Sequence, residues 1–242
     1  MVSSDPIHAI TPTQAPVKTS RGEYQLLVFP PASGGRAGRP LVLLTSGEGG
    51  WRRFDDLLAE TFTNAGCWVG GIDVTKYFWE AQDDRQTLAS DIRAFAAALA
   101  AAAGRKQDAD VVLAGFSFGA DLAPWVAGAG GWGDRVRGLL MIGPDETGSL
   151  QFRILEILGF QPKDHIFSVA EALESAKGIR VAFVHGEKDD KSAAPLLASK
   201  AAEPKRLHVV TGADHHFSGK ESDLRTALLV ALDWFGAPDL HD

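Results

Sequence analysis

The chain has very little cysteine, no long apolar stretch and no excess of positive charge. Its 242 residues include one cysteine, Cys67, so an intramolecular disulfide is excluded. No apolar run approaches the roughly 18 residues of a membrane-spanning helix, and no secretory signal is recognised at the N-terminus. The net charge of −7 argues against nucleic acid as a partner, because few cations are available to neutralise phosphates.

What is present is the composition of one globular α/β domain. Hydrophobic residues make up 45% of the chain and charged residues 23%, and the length suffices for one large core. Short apolar strands alternate with helical patterns, which predicts a mostly parallel, doubly wound sheet with helices on both faces. Residues 21–238 are assigned to this domain, with residues 24–29 as an edge strand. Residues 1–20, rich in Ser, Thr and Pro, are predicted to form an extended N-terminal arm.

Residues 145–178 do not follow the alternation of strands and helices. Leu150, Ile154, Leu155 and Leu158 have the spacing of an amphipathic helix. Two interpretations stay open for this segment: a further core helix, or a cap inserted over the site at the sheet edge.

One motif stands out in the middle of the chain. An apolar run at 111–114 leads into Gly115-Phe116-Ser117-Phe118-Gly119, and helix-compatible residues follow. This is the pattern of a nucleophile elbow, a sharp strand-to-helix turn that exposes one serine. Glycine is expected on either side because a side chain there would crowd the neighbouring strand and helix. Ser117 is therefore the candidate nucleophile.

Candidates for an acid and a base follow later predicted strands. Asp189 and Asp190 come after the strand at 181–185, and His215 and His216 come after the last strand. A serine hydroxyl needs a base to take its proton and an acid to orient that base, and α/β hydrolases carry them in the order Ser, acid, His. We predict Asp189 as the acid and His215 as the base, with Asp190 and His216 as alternates.

The glycine-rich loop at 47–50 is predicted to complete an oxyanion hole. One backbone amide is expected from Phe118, directly after the nucleophile, and a second from Glu48 or Gly49. The loop lacks the lysine and serine or threonine of a phosphate-binding loop. No spacing of histidine, cysteine or acidic residues matches a zinc pattern, so neither a metal nor a cofactor is predicted.

Two further residues are predicted to contact substrate. Asp121, in the first turn of the helix after Ser117, has a structural interpretation as a favourable charge at a helix N-terminus. Its functional interpretation is a counter-charge for a cationic group of the substrate. Trp51, at the end of the glycine-rich loop, is the second predicted contact.

Four segments of the chain carry a resemblance to a known family. They are residues 46–51, Asp73 with residues 77–79, residues 115–121 with Pro124, and residues 215–217. With these segments the chain resembles the VirJ/AcvB bacterial virulence-protein family, although Glu48 stands where that family usually has aspartate.

The resemblance implies a single-domain α/β-hydrolase fold and a periplasmic serine hydrolase. Members of the family look like enzymes that remove the amino acid from aminoacylated phosphatidylglycerol, such as lysyl- or alanyl-phosphatidylglycerol. The expected partner is therefore a lipid or small ester, reached through peripheral contact with a membrane surface. Two alternatives are a carboxylesterase similar to dienelactone hydrolases and a hydrolase-fold protein that binds without catalysis and serves secretion.

Overall fold

The computed structural model describes residues 11–32, 35–36, 38–78, 82–150 and 165–237. Its strands are β1 (Thr13–Thr19), β2 (Gly22–Phe29), β3 (Leu41–Thr45), β4 (Val69–Ile72), β5 (Val111–Phe116), β6 (Val136–Ile142), β7 (Thr147–Ser149), β8 (Ile166–Ser168), β9 (Val181–Gly186) and β10 (Lys205–Val210). Eight of them form one sheet in the order β1-β2-β4-β3-β5-β6-β9-β10, while β7 and β8 form a separate antiparallel pair. The strands β4, β3, β5, β6, β9 and β10 run parallel to one another. Strand β2 is antiparallel to both of its neighbours, β1 and β4.

Helices cover both faces of the sheet, as the sequence predicts. They are α1 (Arg53–Asn64), α2 (Val74–Tyr77), α3 (Arg85–Ala102), α4 (Phe118–Ala127), α5 (Val169–Ser175), α6 (Ala194–Lys200) and α7 (Glu221–Phe235), with a 3₁₀ turn at Gly133–Arg135. Side chains of α1 and α7 pack in one core, and those of α3 to α6 pack in the other. Alternate residues of the central strands feed the two cores, so Leu43 lies in one and Leu44 in the other.

Residues 13–19, predicted to belong to the N-terminal arm, instead form strand β1 of the main sheet. This strand pairs with β2 along its whole length, which makes β1 the edge strand and places β2 inside the sheet. The Ser20 amide and hydroxyl donate hydrogen bonds of 2.8 and 2.6 Å to the Asp91 carboxylate and tie this hairpin to α3. Val17 is the one buried residue of β1, so the apolar signal of the strand was too weak to read.

The segment at 145–178 is described at its two ends. Residues 147–149 and 166–168 form the β7–β8 pair, and α5 packs beside α4 in the shared core. Trp125 of α4 stacks on Phe167 with ring centroids 4.4 Å apart. Of the helix predicted from Leu150 onward, Leu150 itself is the one residue that the structure describes. The cap therefore remains a prediction.

None of the helices in the described ranges combines the length and the apolar character needed to cross a bilayer.

Candidate active site

The turn from β5 to α4 has the geometry that the elbow motif predicts. Ser117 adopts φ 50° and ψ −118°, a conformation that residues with side chains rarely take. A Cβ at Gly115 would lie 2.1 Å from the Gly119 backbone, and one at Gly119 would lie 2.2 Å from the Thr45 carbonyl oxygen. Glycine is thus required at both positions. The Ser117 amide donates to the Ile142 carbonyl at 2.8 Å, which anchors the turn against β6.

Asp189 and His215 lie together at the carboxyl ends of β9 and β10. The His215 Nδ1 atom is 2.7 Å from Asp189 Oδ2. The other oxygen of Asp189 accepts the amides of Lys191 and Ser192, each at 3.2 Å, and the side chain is 1% exposed. The tautomer in which His215 Nδ1 donates to the Asp189 carboxylate leaves Nε2 as the basic nitrogen. This is the orientation that a general base needs.

The alternates Asp190 and His216 are both exposed. His216 contacts the rings of Phe54 and Phe116 edge-on and lies next to His215 in the wall of the cleft. The hydrogen bond between Asp189 and His215 therefore favours the first of the two predicted pairs.

Gly143 is a site residue that sequence reasoning missed. It follows β6, has φ 57°, and a Cβ there would lie 3.1 Å from His215 Cε1 and 3.5 Å from Asp189 Oδ2. The glycine allows the acid–base pair to approach the end of β6. Its signal in the sequence is the Gly-Pro-Asp turn directly after a buried strand.

The glycine-rich loop after β3 faces the same cleft as Ser117 and His215. It turns through a hydrogen bond of 3.0 Å from the Gly50 amide to the Gly47 carbonyl, and the Ser46 hydroxyl accepts the Val74 amide at 3.2 Å. In the described part of the chain, the amides of Phe118, Glu48 and Gly49 donate no hydrogen bond. Amides without an internal acceptor are what an oxyanion hole requires.

Asp121 is buried beside the cleft rather than in its lining, and its contact with substrate stays a prediction. The residue is 4% exposed, and its Oδ1 atom accepts the Asp145 amide at 2.9 Å. Burial raises the pKa of Asp121 well above its usual range, and the charges of Asp145 and Glu48 raise it further, against the lowering effect of that hydrogen bond. Asp121 therefore positions the loop that carries Asp145.

Trp51 packs against the sheet beside the cleft, and its contact with substrate likewise stays a prediction. Its ring stacks on Phe29 with centroids 5.5 Å apart and covers Gly71, where a Cβ would lie 2.4 Å from the indole. The indole nitrogen donates to Asp56 at 2.8 Å. The tryptophan fastens the glycine-rich loop to β4 and to α1.

The cleft holds about 330 Å³ and carries charges of both signs. Its charged lining comprises Glu48, Asp55 and Asp145 together with Arg52 and Lys191. Partial desolvation raises the pKa of Glu48, as does Asp145, whereas His215 and Lys191 lower it. In the described ranges, no three His, Cys, Asp or Glu side chains converge as metal ligands.

Comparison with known proteins assigns the family and supports the fold. The model of the family described as bacterial virulence protein (VirJ) matches residues 40–234. The chain belongs to the VirJ family. No curated protein sequence is significantly similar to it.

Solved structures similar to this VirJ family member are α/β hydrolases. Est1E from Butyrivibrio proteoclasticus is 14% identical over 93% of this chain and 99% of its own, with a TM-score of 0.66. Dienelactone hydrolase from Anabaena variabilis is 18% identical over 93% and 97%, with a TM-score of 0.65. XC6422 from Xanthomonas campestris, described as a serine hydrolase without a lid, is 19% identical over 97% and 100%, with a TM-score of 0.63. At these identities the similarity establishes the α/β-hydrolase fold.

Proposed function

We propose that this VirJ family protein is a serine hydrolase that cleaves the aminoacyl ester of aminoacylated phosphatidylglycerol. The observation that carries the hydrolase assignment is the hydrogen bond between Asp189 and His215 beside the cleft that contains the elbow serine, Ser117. A base held by a buried acid next to an exposed serine is the arrangement of nucleophilic acyl transfer.

The reaction proceeds in two acyl transfers. His215 Nε2 takes the proton of the Ser117 hydroxyl as Oγ attacks the ester carbonyl, and the amides of Phe118 and of Glu48 or Gly49 stabilise the oxyanion. His215 then protonates the departing glycerol oxygen of phosphatidylglycerol, which leaves an aminoacyl ester on Ser117. Water attacks this ester, gives its proton to His215, and releases the free amino acid and the serine hydroxyl.

The charges of the cleft support an ester that carries both an ammonium and a phosphate. Glu48 and Asp145 suit the ammonium, while Lys191 and Arg52 suit the phosphate. A volume of about 330 Å³ is near the lower end of ligand sites, so it suits a head group whose acyl chains stay outside in the membrane. Family membership supports the same substrate class through the resemblance described above.

Labelling with a fluorophosphonate tests the nucleophile. We expect the wild-type protein and a Ser199→Ala control, changed at an exposed serine of α6, to label equally, and Ser117→Ala to remain unlabelled. Equal labelling of the Ser117→Ala variant would refute the assignment. Absence of labelling in the wild type would favour the non-catalytic binding protein.

Incubation with a mixed bacterial lipid extract tests the substrate. We expect aminoacylated phosphatidylglycerol to disappear, with phosphatidylglycerol and free amino acid as products, when lipids are followed by mass spectrometry. Rapid turnover of short soluble esters with that lipid unchanged would favour the small-ester carboxylesterase instead.

We extend the proposal to a periplasmic location and peripheral contact with the membrane, both of which rest on the family resemblance. Fractionation of cells and sedimentation with phosphatidylglycerol vesicles test these points. Recovery in the cytoplasmic fraction, or no sedimentation with vesicles, would refute them.

A further inference from the structure

Asp55 is a buried carboxylate in the lining of the active-site cleft that the catalytic machinery does not use. It is the third residue of α1 and is 2% exposed. Its Oδ2 atom accepts the Arg52 amide at 2.8 Å and so caps the helix. Its Oδ1 atom has no hydrogen-bond partner in the described residues.

An unpartnered acceptor at this depth is costly to the fold. Leaving a buried polar atom without a partner destabilises the folded state, and a charged group does so more strongly than a neutral one. Burial accordingly raises the pKa of Asp55 to about 7. Asp56 and Asp73 add to this effect, while the backbone amides of Arg52 and of Asp55 itself oppose it. Capping alone does not explain the site, because it uses only one of the two oxygens. The free oxygen therefore calls for a donor that the protein itself does not supply.

The charges around the cleft indicate which donor fits. Arg52 and Lys191 line the cleft, yet in the described structure neither forms a salt bridge with Asp55. The Arg52 guanidinium instead donates through Nε to the Gly49 carbonyl at 2.6 Å. Glu48 and Asp145 line the same cleft and add negative charge to it. A cationic N–H donor is favoured over a neutral one in such surroundings.

We infer that Asp55 is the acceptor for the ammonium group of the substrate, an inference that rests on the proposed aminoacyl-ester function and names a residue that selects for it. The ammonium donates to Oδ1 while the capping hydrogen bond to Oδ2 is kept. Asp55 thus recognises the acyl group from the start of α1, which follows the proposed oxyanion loop.

A matched pair of esters tests this role. The probes are the alanyl and propionyl esters of glycerol, which differ by the amino group. We expect Asp55→Asn to lower kcat/KM for the alanyl ester about ten-fold or more, and to change kcat/KM for the propionyl ester less than about two-fold. Asparagine keeps an acceptor for the Arg52 amide, so the cap is retained. Asp108→Asn, which removes the same charge from an exposed residue outside the cleft lining, is expected to alter neither value.

Equal losses for both esters in Asp55→Asn would show a purely structural role, and no loss for either would show that the carboxylate does not contact substrate. Either result overturns the inference. The wild-type protein provides a second measurement that does not depend on folding of a variant. Butylammonium ion is expected to inhibit hydrolysis of the propionyl ester at a concentration about ten-fold lower than 1-butanol, and equal inhibition contradicts the inference.

The two proposals fail separately. If aminoacylated phosphatidylglycerol is hydrolysed but Asp55→Asn keeps the preference for the alanyl ester, the ammonium site is wrong and the function stands. If that lipid is left intact while the preference depends on Asp55, the site stands and the substrate is another amino ester.

Discussion

Two buried carboxylates serve the same cleft in opposite ways. Asp189 has a partner for each oxygen, since Oδ2 pairs with His215 and Oδ1 accepts the amides of Lys191 and Ser192. Asp55 is equally inaccessible, but one oxygen accepts a single amide and the other has no partner in the described structure.

The difference shows that burial by itself does not reveal what a carboxylate does. In the proposed reaction, a fully bonded carboxylate such as Asp189 stays in place and orients its histidine through every step. A half-bonded carboxylate such as Asp55 has a free acceptor and a raised pKa, which are properties that a ligand can use. The hydrogen-bond partners separate the two roles, and the following substitutions test that separation.

The largest expected effect is at Asp189. Asp189→Asn is expected to lower kcat on any ester by about a thousand- to ten-thousand-fold, because the amide no longer stabilises the charged imidazole or holds its tautomer. The matched control is Asp190→Asn. Because this side chain is exposed, kcat is expected to change by less than about two-fold. Steady-state kinetics on a neutral ester measures both. A comparable loss in the two variants would contradict the assignment of the acid.

Gly143 tests how tightly the acid–base pair is assembled. Gly143→Ala places a Cβ 3.1 Å from His215, so we expect kcat to fall about ten- to a hundred-fold as the ring moves. Gly133→Ala is the matched control, since its φ of 58° is nearly that of Gly143 and no atom lies within 4 Å of its added Cβ. Loss of activity in both variants would attribute the effect to backbone strain rather than to contact with His215.

The pH dependence of the free energy of unfolding reports how much the unpartnered oxygen of Asp55 destabilises the fold. The folded protein holds the Asp55 proton up to about pH 7, whereas the usual pKa is 3.8, so the folded state loses stability as the pH rises between these values. Asp55→Asn removes this penalty. Its free energy of unfolding is expected to gain about 2–4 kcal/mol relative to wild type between about pH 4 and pH 8.

Urea denaturation at the two pH values checks this, with Asp108→Asn, a substitution at an exposed residue, as the control that follows the wild type. A constant difference between Asp55→Asn and wild type across the pH range would show that Asp55 is ionised in the folded protein throughout.

The smallest effect is expected at Asp121, a buried carboxylate that holds a loop. Asp121→Asn keeps the acceptor for the Asp145 amide, so kcat/KM on the alanyl and propionyl esters is expected to stay within about two-fold of wild type. Asp121→Ala leaves that amide without its partner. This is expected to lower the free energy of unfolding by about 1–3 kcal/mol, measured by thermal or denaturant unfolding. A selective loss on the alanyl ester in Asp121→Asn would instead restore the role in cation recognition.

The sequence predicted the parts of the fold that depend on local pattern. The α/β architecture and the helices on both faces follow from apolar periodicity. Strand β1 escaped notice because its one buried side chain, Val17, leaves no alternation to read.

For the candidate site, the sequence supplied residue types and their order but not their partners. Asp121 and Trp51 are predicted to contact substrate from their place in the motifs. The structure adds their packing partners beside the cleft, and the contact with substrate stays a prediction. Gly143 and Asp55 lie far from Ser117 along the chain, and only the folded sheet brings all three to one cleft.

The elbow, the order of Ser117, acid and histidine, and the need for glycine at 115 and 119 were determined by the sequence itself, because they are properties of neighbouring residues. Only the tertiary structure decided three other features: the hydrogen bond that favours Asp189 over Asp190, the close fit at Gly143 and the unpartnered oxygen of Asp55. These features depend on distances and hydrogen bonds between separate strands and helices. Such contacts arise only when the sheet is assembled and water is excluded.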